Sequence, residues 1–145
     1  MYHEITDDTF CNTGLLQKMQ KTYFVKRSNF EAQMNLLTSE GYKSIRLNNL
    51  IGYLKSRDTN TTPDKCVIIT FDDGYLGNFE YALPILKKYN LTATFFVTVN
   101  YIGRQFMMGW NELSSLKDSG MSIQSHTMSH PFLKALSDEN VRVEL

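Results

Sequence analysis

The run Cys66-Val67-Ile68-Ile69-Thr70-Phe71, which ends in Asp72-Asp73-Gly74, restricts this chain more than any other stretch. The run is continuous, β-branched and aromatic, without the polar alternation of a half-exposed strand, so it predicts a strand covered on both faces in a parallel sheet. Two neighbouring carboxylates at a strand end are costly to desolvate unless a cation compensates them. Gly74 allows a tight turn with positive φ directly after them. Asp-Asp-Gly after a strand is also ordinary turn chemistry, in which Asp side chains bond their own backbone. A metal site and a plain turn are the two readings.

A second segment weighs between them. Ser125-His126-Thr127-Met128-Ser129-His130-Pro131 follows another short run, Met121-Ser122-Ile123-Gln124, and holds two of the three histidines. His126 and His130 are four apart, so one helical turn or a compact loop puts both imidazoles on one face, a spacing used by zinc sites. Two imidazoles and one carboxylate leave coordination positions open for water and substrate, as in hydrolytic rather than structural zinc.

These two motifs resemble, in order, the first and second motifs of the polysaccharide deacetylases, the NodB-homology group of carbohydrate esterases (family four). Tyr2-His3-Glu4-Ile5, Phe30-Glu31-Ala32-Gln33, Pro84-Ile85-Leu86-Lys87-Lys88-Tyr89 and Ala93-Thr94-Phe95-Phe96-Val97 also read like segments of that family, so the resemblance spans nearly the whole chain. It implies a distorted (β/α) barrel, with Asp73, His126 and His130 on a divalent metal and Asp72 as general base. Zinc is the first expectation for the metal, with cobalt or nickel as substitutes. The implied reaction is hydrolysis of an amide, releasing acetate from an N-acetylglucosamine-containing polysaccharide, and the implied location is the cell envelope or outside the cell. The family's later motifs, with an arginine, an aspartate and tryptophan, and a catalytic histidine acid, have no counterpart in this sequence. The chain stops at Leu145, inside a helix that Ser137-Asp138-Glu139 opens, so residues 1–145 are expected to be an amino-terminal, truncated part of such a domain. Truncation would leave an open sheet edge and uncovered helix faces, so self-association or reliance on the missing segment is expected.

Composition agrees with one domain. A chain of 145 residues that is 42% hydrophobic can bury a core, and 15 basic against 15 acidic residues give no electrostatic reason to expect nucleic acid or an anionic membrane as partner. No run approaches the roughly 20 apolar residues of a membrane helix, and the start lacks the basic-then-apolar pattern of a signal peptide. Cys11 and Cys66 are expected to stay unpaired, since two cysteines do not make a disulfide framework.

Strands are expected near positions 2, 44, 68, 95 and 123, with helices between them, which argues for βα units in a mainly parallel sheet or barrel. Residues 6–22 read as a loop with at most one helical turn, and 56–65 as a polar connector. Ser28 and Glu31 form a capping-box pattern for a helix to about Glu40 with Phe30, Met34 and Leu37 inward and Gly41 as terminator. Asn48 or Asn49 is expected to cap the next helix. Pro84 should kink or restart a helix over 78–89 that Asn90 closes. Trp110 is expected in the core or at its rim before it is expected under a sugar ring. His3 is read as packed or capping, and Thr127 and Ser129 as supports of the loop between the two imidazoles. Against the deacetylase stand a metal- or carbohydrate-binding remnant without turnover, and a magnesium-dependent phosphate-transfer enzyme, which the paired histidines disfavour.

Overall fold

The computed structural model describes residues 1–9, 23–56 and 64–145. Cys11, the expected loop of 10–22 and the middle of the expected connector, 57–63, lie outside the described residues. Strand β1 (Glu4–Thr6) pairs with β2 (Phe24–Lys26), β3 (Lys43–Ser44) with β4 (Cys66–Val67), and β5 (Thr70–Phe71) with β6 (Thr94–Val97), which pairs in turn with β7 (Ser122–Ser125). Every one of these pairings is parallel. Tyr2 bridges to Phe71, its N–H donating to Thr70 O at 2.8 Å, and so lays the chain's start alongside β5. The result is a mixed α/β fold of small parallel sheets. The run 66–71 is not the single strand expected, because its first part is registered on β3 and its last part on β6. Nor is it covered throughout: Ile69 and Phe71 are buried, whereas Cys66, Val67 and Ile68 are half-buried.

Helices α1 (Arg27–Ser39), α2 (Leu47–Ser56), α3 (Leu83–Lys88) and α4 (Trp110–Asp118) lie between successive strands, and α5 (Asp138–Glu144) follows the last of them. Phe30 and Met34 of α1 are fully buried, as their spacing predicts. The capping is different from the expectation. Lys26 is the N-cap of α1 without a side-chain bond, and Ser28 turns instead to Asp8, giving Oδ1 both its N–H (3.3 Å) and its hydroxyl (2.6 Å). The carboxylate that serves the free amide thus comes from another segment, and it sits below the ordinary carboxyl range chiefly through the Ser28 hydroxyl. Glu31 reaches Lys88 Nζ at 2.6 Å rather than back to its own helix end. Helix α2 begins at Leu47, upstream of both asparagines, with Asn49 N–H bonded to Arg46 O. Gly41 and Asn90 do end their helices with positive φ, at 80° and 53°. Pro84 restarts its helix: 78–82 are wound as a π turn, and the proline sits in the first turn of α3, where its missing N–H is no loss.

The core is an aromatic stack on the central strands. Phe71 lies flat on Phe95 (4.7 Å between centroids, 7° between planes), and Phe30 and Tyr2 close over Phe71 at 5.7 and 5.4 Å. Leu83, Ile85, Leu86, Leu113 and Leu116 seal it from the helices. This packing fixes β5, β6 and β7 side by side, and with them the direction in which their carboxyl ends point.

Candidate functional site

The site lies where those parallel strands end. Asp73 follows β5 by two residues and His126 follows β7 directly, so the shared strand direction brings both to one sheet edge. Both Asp73 (φ 74°) and Gly74 (φ 94°) are left-handed. Sequence reasoning asked this only of Gly74; Asp is among the few side chains that tolerate it. A Cβ on Gly74 would lie 2.9 Å from Val97 Cγ1, so the turn is pressed against β6. Asp73 O accepts from Thr98 N–H at 3.3 Å, and Gly74 O from Met108 N–H at 2.9 Å.

Residues 126–130 form the compact loop rather than a helical turn, because Thr127 and His130 have φ of 65° and 60°. The loop hangs on the strand-end segment beside it, with His126 N–H on Val97 O (2.9 Å), Val99 N–H on Thr127 O (3.2 Å) and Asn100 N–H on Met128 O (2.9 Å). Thr127 Oγ1 accepts the His130 N–H at 3.0 Å, and Ser129 is bonded to Glu144.

Among the described residues, Asp73, His126 and His130 each offer a ligand atom within 4.8 Å of the others. His126 Nε2 is 3.5 Å and His130 Nε2 3.3 Å from Asp73 Oδ1. That oxygen is buried and has no hydrogen-bond partner among the described residues. A buried carboxylate oxygen left unbonded between two imidazoles is costly, and a cation shared by all three removes the cost. Ligand atoms about 2.1 Å from a tetrahedral zinc ion are about 3.4 Å apart, so the spacing fits that group. The donor set, two imidazoles and a carboxylate, suits zinc or a neighbouring transition metal better than magnesium or calcium.

Asp72 is half-buried and lies outside this trio; its N–H donates to Tyr2 O at 2.9 Å, which ties the start of the chain to the site. His3, next to Tyr2, packs its ring against Tyr23 at 4.6 Å. Trp110 is 72% exposed at the head of α4, so it is no part of the core. The segment leading to it runs antiparallel to 74–76, with Tyr75 bridged to Met107 and Phe106 O accepting from Leu76 N–H. Burial raises the Tyr75 hydroxyl above its usual range, and the Asp73 charge adds to this. Sequence reasoning missed two carboxylates: Glu144, which holds the loop, and the buried Glu4. Glu4 lies in a segment that resembles the family without a role implied for it there, Glu144 lies in no motif, and only tertiary placement gives them partners.

The polysaccharide deacetylase family profile matches residues 59–145. A Bacillus subtilis protein whose name places it among polysaccharide deacetylases is 34% identical over 121 residues, covering 83% of this chain and 43% of that protein. The poly-β-1,6-N-acetyl-D-glucosamine N-deacetylase of Staphylococcus aureus is 31% identical over 136 residues, covering 87% of this chain and 46% of the relative. Among solved structures, the Streptococcus pyogenes deacetylase PplD in complex with acetate superposes with a TM-score of 0.86 at 27% identity, over 99% of this chain and 62% of that one. The chain thus spans less than half the length of these two sequence relatives.

Proposed function

The chain belongs to the polysaccharide deacetylase family, and from that membership we propose that it is part of a metal-dependent hydrolase that removes acetyl groups from N-acetylglucosamine units of a polysaccharide. The observation that carries the reading is the close trio of Asp73, His126 and His130 around an unbonded, buried carboxylate oxygen. These three are proposed as the ligands, with zinc first and cobalt or nickel as alternatives. When bound, such an ion supplies Lewis-acid activation of water and of the acetamide carbonyl. Asp72 is proposed as the general base that takes the proton of the attacking water, a role its position beside Asp73 supports. The substrate class is inferred from the names of the relatives, one of which acts on poly-β-1,6-N-acetyl-D-glucosamine.

We further read residues 1–145 as a partial domain of a distorted (β/α) barrel. The all-parallel strand pairing supports this. Exposed Phe132, Val143 and Leu145 support the expected self-association. An envelope or extracellular location is the matching inference for a polymer-modifying enzyme; among the described residues no helix is long and apolar enough to cross a membrane. The test is acetate release from N-acetylglucosamine oligosaccharides with zinc, cobalt or nickel, comparing this chain with a version extended at its carboxyl end. The extended protein should turn over and the 145-residue chain should be far slower. Metal binding without acetate release from either would favour the alternative, a binding remnant without turnover.

A further inference from the structure

The loop that carries both imidazoles is held from two sides, and the two sides are unequal. Its first half is tied to 97–100 by backbone bonds that continue the sheet edge. Its second half is tied to one residue of another helix. Glu144, in the last turn of α5, accepts the Ser129 N–H on Oε2 at 2.8 Å and the Ser129 hydroxyl on Oε1 at 2.6 Å, while its backbone carbonyl accepts the Met128 N–H at 3.1 Å. The Thr127 hydroxyl also contributes a bond to that carboxylate, and together these hold the Glu144 carboxyl below its ordinary range, the Ser129 hydroxyl most of all.

The loop needs such a hold. Thr127 and His130 are both left-handed, a conformation that a β-branched or bulky residue keeps only when its surroundings enforce it. The His130 side chain is 49% exposed, so packing fixes it weakly, and its N–H is bonded only within the loop. Its immediate neighbour Ser129 is bonded outside the loop, to Glu144.

We propose that Glu144 is a positioning residue: by clamping Ser129 and Met128 it holds His130 within ligating distance of Asp73, and so sets the affinity of the site for its metal. The proposal rests on the metal-site reading above. Supporting residues of this kind change metal affinity by about 10-fold to 100-fold when removed. Glu144→Ala is expected to weaken zinc or cobalt binding by that factor in a competition titration against a chelator. Glu144→Gln, whose amide oxygen can still accept one of the two Ser129 bonds, should recover much of it. Ser129→Ala removes one bond and leaves helix α5 intact, which separates loss of the clamp from loss of the fold; it should weaken binding several-fold.

A second readout needs no metal. In the metal-free protein the Ser129 amide should exchange slowly with solvent, and at least 10-fold faster in Glu144→Ala, with exchange in β6 unchanged. Equal metal affinity in wild type and Glu144→Ala, or equal Ser129 exchange in the two, would overturn the proposal. If the wild-type protein binds no metal but the exchange difference is present, the metal-site reading fails while the clamp stands.

Discussion

Replacing Glu4 with glutamine should remove a steep pH dependence from the stability of this fold. Glu4 lies on β1, is 9% exposed, and fits so tightly against Gly77 that a Cβ there would collide with its Oε1 and with Ile5 O. Burial raises its carboxyl from 4.5 to about 8; the Gly77 N–H opposes the rise and the neighbouring Glu80 adds to it. Glu4 also bears on the Tyr75 and Tyr81 hydroxyls, which stay neutral in this range. The folded protein therefore keeps a proton that the unfolded chain releases above about pH 4.5. Its contribution is fully present below that pH, falls as pH rises, and is gone just above 8. At about 1.4 kcal/mol per unit, the whole loss amounts to at most about 5 kcal/mol. Glutamine keeps an acceptor for the Gly77 N–H and never ionises. Urea unfolding of both proteins from about pH 4 to 9 should show the stability difference moving in favour of Glu4→Gln between about 4.5 and 8, and flat outside that range. Parallel curves, with a gap constant to within about 1 kcal/mol, would refute the buried-carboxyl argument.

Gly77→Ala should be far more damaging than a surface substitution, because its Cβ would meet the backbone carbonyl of Ile5 as well as Glu4, and backbone cannot swing aside; a soluble protein with wild-type thermal midpoint would contradict this. In a version of the protein that is active, Asp72→Asn should keep its metal yet lose about 100-fold to 10,000-fold in turnover, whereas Asp73→Asn should lose metal as well. Full turnover of Asp72→Asn at saturating metal would assign the base to another group.

Much of this was legible in the sequence wherever a pattern has one physical cause. The Phe30/Met34 face and the left-handed residues at Gly41 and Asn90 follow from local periodicity and backbone sterics. The expected strand–helix alternation led to parallel pairing, and strand direction alone placed Asp73 and His126 at one edge. What could not be read were choices made between distant segments. Ser28 had a local partner available in Glu31, but Asp8 and Lys88 took the two residues apart. The run 66–71 divided because two different strands claim its halves. Trp110 reads as core or rim in a sequence, yet it is exposed at the first position of α4 while Leu113 and Leu116 are the residues of that helix that reach the core. Glu144 and Glu4 belong to the same class of residue, ordinary in the sequence and defined by the partners the fold brings to them.

The most direct test of the central claim is metal content. After stripping and reloading with zinc, the wild-type protein should hold one equivalent, and His126→Ala should lose it. His126 is 3.5 Å from the unbonded oxygen of Asp73, and no third described group replaces it in the trio. Equal stoichiometry in the two proteins would contradict the assignment of Asp73, His126 and His130 as the metal site.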